Sequence, residues 1–552
     1  MKRCILLTSV LALICMGQAA APARTKPKIA DANSVMGDLA EKYPGQKFTH
    51  QFVMMPLRDG VKLATDIFLP EGAGPLPTML LRTPYLRFDS RADLGAPCAL
   101  VLQNQRGRYG SEGTLPKDSF DNEPDDDYDA IEWIAQQKWC NGKVGMWGPS
   151  GHGISASAAL WSGAPHLTAV NVNITADDAY LYWCFSNGAR RKFYTWMSSR
   201  GQKVLDWPRP TTIPYDLKKR QALLAERGPK CRAAFNARAG WFDLFSEGAL
   251  DEFAAVAANG KAFLSIGPSA HGAIGGGLKY PGAKRPDEVK ERTLKQWMTE
   301  PDPAGPTQSW LVYYLMGNGQ DPNIGYGNIQ LASPKWPVDN TPTSYYMHKD
   351  GRLSPEAPKE KGASLSYQYD PRDPVPSVGG NYDTGSVNGP YDQRKLKDRK
   401  DILRFVSDPL EGPVGVVGKI WVELHVSSDC PDTEFTAKLI DIYPDGYEAV
   451  YRASAMLARY HGGLDKPAPL ERGKVYKLSM DCWSTALVFN KGHRIAVTVS
   501  SSDSPQYEVH PNTYEQVGGM DKARVASNTV HLSADHASKV ILPVIPKEWY
   551  VK

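Results

Sequence analysis

The sequence predicts an α/β unit up to about residue 339, followed by an all-β sandwich. Three observations carry this. From Phe48 to Met316 strand-like runs alternate with helical stripes, the pattern of a parallel, doubly wound sheet. One of these runs, Lys143 to Trp147, breaks into a glycine-flanked serine at Gly148-Pro149-Ser150-Gly151, and a small-residue helix, Ile154 to Trp161, follows at once. From about residue 340 the helical stripes stop, and short alternating runs divided by turn residues take over.

The elements follow in order. Residues 1–21 have Lys2 and Arg3, an apolar run from Ile5 to Met16, and small residues for cleavage near Ala19 or Ala21. This is the pattern of a secretory signal peptide, so a secreted or periplasmic protein is expected. Residues 22–47 form an arm with a helix-like Ser34 to Tyr43. Residues 48–177 open the sheet, with strands Thr78 to Arg82, Ala99 to Asn104 and Thr168 to Thr175. A helix near Asp127 to Trp139 has an apolar stripe through Tyr128, Ile131, Ile134 and Ala135, and Asp125 to Asp127 read as its cap. Residues 178–232, crowded with aromatics, interrupt the rhythm and read as a helical cap over the site. Residues 233–339 resume it with strands Ala233 to Gly240 and Ala262 to Ile266, a helix Leu250 to Ala258 between them, and a last run Ser309 to Met316. Residues 340–552 give the sandwich, with runs such as Ile420 to Val426 and Arg494 to Val499.

Composition narrows the function classes. At 552 residues the chain is long enough for several domains, and its hydrophobic fraction of 42% and charged fraction of 22% are those of a globular protein. A net charge of +4 over that length gives no case for nucleic acid. No stretch after the signal peptide is long enough to span a membrane. Six cysteines follow it: Cys98, Cys140, Cys184, Cys231, Cys430 and Cys482. None of their spacings suits a metal, and an even number in an exported chain permits bridges, Cys430 to Cys482 being the pair in the β unit.

Strand, sharp turn and helix around Ser150 form the nucleophile elbow of α/β-hydrolases. No Gly-Lys-Ser/Thr follows for a phosphate loop. One departure stands out: His152 occupies the place of the usual second glycine, and Gly153 comes one later. A triad also needs a base and an orienting acid, in the chain order Ser, Asp/Glu, His. The run ending at Gly240-Trp241-Phe242-Asp243 and the run ending at Gly267-Pro268-Ser269-Ala270-His271 supply both. They stop at the carboxyl ends of their strands, where ligands bind in open α/β sheets.

With these residues in view, the chain resembles the cocaine esterase / X-Pro dipeptidyl-peptidase-like serine hydrolases, which include α-amino acid ester hydrolases and glutaryl acylases. The resemblance runs over nearly the whole mature chain. It includes Pro56 to Leu63, Arg82-Thr83-Pro84-Tyr85, Gln105 to Gly113, and Trp139-Cys140-Asn141-Gly142. It continues through Gly148-x-Ser150-x-x-Gly153, Gly240 to Asp243, Gly267 to Gly272, Tyr369 to Pro376, Asp392-Gln393-Arg394, Phe435 to Leu439 and Gly492 to Ile495. It implies an α/β-hydrolase core with a helical cap insertion and a C-terminal jelly roll. It further implies Ser150 as nucleophile, His271 as base, Asp243 as its partner, and an oxyanion hole from the Gly151 amide and the Tyr85 hydroxyl. Trp183, Phe185, Trp196 and Phe242 would line the substrate pocket. Two departures, Gly151 for the family's tyrosine and Ser269-Ala270 for its Trp-Ser, are expected to widen or reshape the pocket floor.

The expected function is ester or amide hydrolysis through an acyl-enzyme, with no metal or organic cofactor. The partner is a small-molecule ester, amide or short peptide, and a homo-oligomer is allowed. An X-Pro dipeptidyl-peptidase or an α-amino acid ester hydrolase (β-lactam acylase) is the alternative. Either needs a carboxylate for an α-amino end, and Leu244-Phe245 follow Asp243 where those acids would sit, leaving Asp177 and Asp178 as candidates. The sandwich alone could be a carbohydrate-binding module. A secreted binding protein with a vestigial triad is the alternative of another class, and its Ser150 would not react with a fluorophosphonate.

Overall fold

A computed structural model describes residues 31–88, 97–114, 123–191, 217–305, 307–381, 388–515 and 519–551. The expected signal peptide at 1–21 and the expected pocket residue Trp196 lie outside them. Helix α1 (Ala32–Lys42) precedes a ten-stranded sheet. Its strands are β1 (Phe48–Pro56), β2 (Lys62–Pro70), β3 (Leu76–Thr83), β4 (Ala99–Asn104), β5 (Cys140–Pro149) and β6 (Leu167–Asn173). After a small hairpin of β7 (Phe185–Ser186) and β8 (Ala189–Arg190) come β9 (Ala234–Gly240), β10 (Ala262–Gly267), β11 (Trp310–Leu315) and β12 (Ile329–Ser333). The order across the sheet is β1-β2-β4-β3-β5-β6-β9-β10-β11-β12. The strands from β4 to β11 are mutually parallel, and antiparallel strands close both edges.

Alternation along the strands sorts the core onto two faces. Leu80, Val101, Met146, Phe235 and Leu264 meet helices α2 (Glu123–Ala135), α3 (Ile154–Ala158) and α5 (Ser246–Val256). Met79, Leu81, Leu100 and Leu102 point the other way, to Val35 of α1 and to Trp297 and Met298 of α6 (Leu294–Thr299). Helix α4 (Leu217–Arg227) is the remaining described helix.

The C-terminal unit is two packed antiparallel sheets. The larger contains β13 (Thr341–Met347), β14 (Leu353–Ser354), β15 (Ser364–Tyr369), β17 (Val414–Ser428), β20 (Tyr476–Phe489), β22 (Ala526–Ser533), β23 (His536–Ala537) and β24 (Lys539–Val544). The smaller contains β16 (Leu403–Val406), β18 (Glu434–Ile442), β19 (Glu448–Leu457) and β21 (Arg494–Ser500). The two units share backbone bonds: Met316, just past β11, donates to Ala486 O at 3.0 Å and accepts from Val488 N at 2.8 Å.

Three expectations change. Asp126 and Asp127 lie inside α2, not before it as a cap. Asp126 takes a bidentate pair from Arg106 at 2.6 and 2.8 Å, and Asp127 pairs with the buried Arg82. The Cys430–Cys482 bridge does not form: both thiols are free and buried, and Cys430 Sγ instead accepts from Arg524 Nε at 3.2 Å. The described start of the insertion is not a run of ordinary helix. Residues Ala179–Cys184 make one π-helical turn, and β7 and β8 then fold back at Asn187-Gly188.

Candidate active site

The site forms where β3, β5, β9 and β10 end on one side of the sheet. Strand β5 runs into a 3-10 turn, Ser150–Gly153, which feeds α3. Ser150 has φ of +51°, a left-handed conformation that costs an L-residue energy and is held only because its surroundings fix it. Glycine is required on both flanks: a β-carbon at Gly148 would strike the His152 carbonyl, and one at Gly153 would meet the Gly148 carbonyl and Thr175.

Ser150 Oγ lies 2.8 Å from His271 Nε2, and His271 Nδ1 lies 2.8 Å from Asp243 Oδ2. Asp243 is fully buried, and its other oxygen accepts the Phe245 amide at 2.8 Å. A carboxylate only accepts, so Nδ1 donates to Asp243 and the Nε2 lone pair of a neutral ring is left facing the serine hydroxyl. The loops bearing acid and base are laced together. Trp241 N donates to Gly267 O at 2.8 Å and Phe242 N to Ser269 O at 2.9 Å. A β-carbon at Gly240 would overlap Ser269, so glycine is required where the two loops touch.

Tyr85 follows β3 and reaches the same turn. A β-carbon at Gly151 would coincide with the Tyr85 hydroxyl and ring edge. Of widening and reshaping, the two outcomes expected of Gly151, the space beside it is reshaped: Tyr85 fills it. Burial pushes the Tyr85 phenol above its ordinary range, so it stays a protonated donor beside the Gly151 backbone.

The pocket residues are placed differently from expectation. Phe242 is fully buried in the main core, its ring 6.0 Å from that of Tyr451. Trp183 and Phe185 are buried in a separate apolar cluster with Ile154, Leu244, Phe245 and Trp483. Trp183 donates to Ala176 O at 3.0 Å and packs edge-on against Phe245 at 4.7 Å between centroids. Phe245 is the ring that approaches His271, at 5.7 Å. Large apolar residues sink into packing wherever the fold allows, and Trp183 and Phe185 are spent on this cluster. Asp177 and Asp178 are committed as well: Arg220 grips Asp177 at 2.5 and 2.8 Å, Trp161 Nε1 donates to it at 2.7 Å, and Asp178 accepts from Leu181 N at 2.8 Å. The sequence reading noted His152 only as a displaced glycine. Its Nδ1 lies 2.9 Å from Thr83 Oγ1 and its ring 4.9 Å from that of Tyr85.

Such a fold, with a serine at the elbow and a histidine–carboxylate pair behind it, defines a serine hydrolase of the α/β-hydrolase class. Residues 59–238 match the family model of X-Pro dipeptidyl-peptidase (S15 family), and residues 305–541 match that of the X-Pro dipeptidyl-peptidase C-terminal non-catalytic domain. The cocaine esterase of Rhodococcus sp. (strain MB1 Bresler) is 30% identical over 90% of this chain and 98% of its own length. Among solved structures, an α-amino acid ester hydrolase superposes with a TM-score of 0.72 at 23% identity, over 95% of this chain and 100% of that one. An aminopeptidase from a marine sediment Thaumarchaeota archaeon gives a TM-score of 0.73 at 22% identity, over 96% of this chain and 99% of that one. The chain belongs to the cocaine esterase / X-Pro dipeptidyl-peptidase-like family of serine hydrolases.

Proposed function

We propose that this chain is an exported esterase or amidase acting through an acyl-enzyme on substrates with a neutral acyl group. The observation that carries the mechanism is the hydrogen-bonded row Ser150–His271–Asp243, with the serine held at a strained φ. Ser150 attacks the carbonyl carbon while His271 Nε2 takes its proton. The tetrahedral oxyanion is bound by the Gly151 amide and the Tyr85 hydroxyl, each such donor worth about 3 kcal/mol in the transition state. Collapse expels the alcohol or amine, which receives the proton from His271. Water, deprotonated by the same ring, then releases the acid. Asp243 stays ionised throughout, holding the ring in its tautomer and stabilising the imidazolium.

The neutral-acyl preference rests on where the carboxylates go. Leu244 and Phe245 follow the triad acid, and Asp177 and Asp178 are bound to Arg220 and to backbone, so each obvious anchor for an α-amino group is spent. The name of the cocaine esterase relative favours ester cleavage. Export rests on the composition of residues 1–21.

A fluorophosphonate should label Ser150, and Ser150→Ala should abolish both labelling and turnover without changing the thermal melt. Neutral p-nitrophenyl esters should be turned over faster than Xaa-Pro-anilides. Faster release from the anilides would replace the neutral-acyl reading with dipeptidyl-peptidase action, and an inert Ser150 would make the chain a binding protein.

A further inference from the structure

We infer that His152 is a positioning residue for Tyr85, acting through Thr83; this rests on the reading of Tyr85 as an oxyanion donor. The loop Thr83-Pro84-Tyr85 leaves the end of β3 and is fastened at its backbone. Gln105 N donates to Thr83 O at 3.1 Å, and Asn104 Nδ2 donates to Thr83 O at 3.2 Å and to Tyr85 O at 2.5 Å. Pro84 restricts φ between them. Such fastening fixes the course of the chain and leaves the direction of the phenol to side-chain contacts.

The Thr83 hydroxyl makes the first of these. It accepts the Tyr85 amide at 3.2 Å and lies 2.9 Å from His152 Nδ1. A hydroxyl has one proton to give. A hydroxyl also accepts at two lone pairs, so Oγ1 pairs with His152 Nδ1 in either sense while it accepts from Tyr85, and the bond fixes both the Thr83 rotamer and the plane of the imidazole. The imidazole makes the second contact, lying against the Tyr85 ring at 4.9 Å and 59°. The Tyr85 hydroxyl end also abuts Gly151, where a β-carbon would overlap it. The phenol thus rests against both Gly151 and His152.

The consequence is geometric. Ser150, the Gly151 amide and both halves of the tyrosine's seat belong to the single 3-10 turn Ser150–Gly153. The distance between nucleophile and side-chain oxyanion donor is set within four residues, not across two independent loops. His152 thereby has a role at the variable position of the Gly148-x-Ser150-x-x-Gly153 turn. Because the Tyr85 bond forms in the transition state, misplacing the ring should lower kcat and leave KM nearly unchanged.

Two substitutions separate hydrogen bond from packing. His152→Phe keeps a ring against Tyr85 and deletes the bond to Thr83, whereas His152→Asn deletes the ring and keeps a polar atom near Nδ1. With kcat normalised to the fluorophosphonate-titrated active sites, so that misfolded protein is not counted, His152→Phe should lose about tenfold and His152→Asn should return to within about threefold of wild type. In a Tyr85→Phe background, His152→Phe should cost nothing more, because the hydroxyl it positions is gone. An undiminished kcat in His152→Phe, or an equal loss from it in both backgrounds, overturns the inference and leaves the oxyanion reading standing. Near-wild-type kcat in Tyr85→Phe itself overturns the oxyanion reading, and this inference with it.

Discussion

Gly151 and Tyr85 constrain each other, because the tyrosine occupies the volume that any side chain at 151 would need. Gly151 is buried, and a methyl group there would fall on the Tyr85 hydroxyl and ring edge, in a ring that also packs against His152. Gly151→Ala should therefore displace the phenol and cut kcat by about 10²-fold, the size of losing one oxyanion donor, while KM moves little. Steady-state kinetics on a p-nitrophenyl ester checks this, and a fully active Gly151→Ala would mean that Tyr85 is elsewhere in the working enzyme. That Ser150, His271 and Asp243 come within hydrogen-bond distance of one another was legible from sequence, because each stands just past a strand-like run. The exchange at 151 was not, since what fills a missing side chain's space is decided by a loop far away in sequence. A polar ring at 152, where the elbow usually has no side chain, was the signal available for the tyrosine's seat.

Elements of regular period were legible, and those made by one local dipeptide or by distant partners were not. Strands β3, β4, β9 and β10 fall within a residue or two of their expected bounds, because their apolar runs stop at glycine, asparagine or turn residues. The β7–β8 hairpin escaped notice beneath its aromatics. Its signature is Asn187-Gly188, with φ of +45° and +80°, a pair suited to a two-residue hairpin turn. The turn is also an anchor: Asn187 Nδ2 donates to Asp481 O at 3.0 Å and to Ser454 Oγ at 3.0 Å, in the sandwich. Within the sandwich, β17 and β22 set His425 opposite His531, and the His536 ring from β23 sits 5.4 Å from the first and 5.8 Å from the second. Burial pushes His425 and His531 below the usual histidine range, and a charged His536 pushes both further. Lys477 and His531 add to this at His425 and Glu423 opposes it. The unfolded chain takes up these protons near pH 6.5, about the ordinary histidine value, and the folded chain only at lower pH. The contribution to stability is thus complete above that pH and lost as pH falls through the folded-state values. The midpoint of thermal unfolding should drop between pH 7.5 and 5, and drop less in His536→Asn; equal drops would mean that this cluster is not responsible.

At the scale of the whole molecule, the change from helical stripe to strand alternation divides the sequence near residue 340, but nothing in that pattern says how the two units meet. They meet through buried polar groups supplied by both. Glu247, on the helix that follows Asp243, pairs with Lys419 of β17 at 3.1 Å and accepts the Ser484 amide of β20. Lys419 also holds Asp481 at 2.9 Å, beside Trp483, whose φ of +66° turns it into the apolar cluster containing Phe245. Arg452 of β19, fully buried, gives its protons to the carbonyls of Trp241, Tyr451 and Ser484. Burial pushes it down to about 10, so at neutral pH it is still a cation. Trp241 lies two residues before Asp243, so a sandwich side chain holds the loop that carries the acid. Arg452→Met would keep most of the volume and strand the Trp241 and Ser484 carbonyls, at about 1–3 kcal/mol for each buried group left unsatisfied. If the two units act as one structure, calorimetry should show the hydrolase and sandwich transitions falling together, and kcat should fall with them as Asp243 loses its fixed relation to His271. A variant whose sandwich melts early while esterase activity persists to the wild-type temperature would mean that the units are stable independently and that Arg452 serves the sandwich alone.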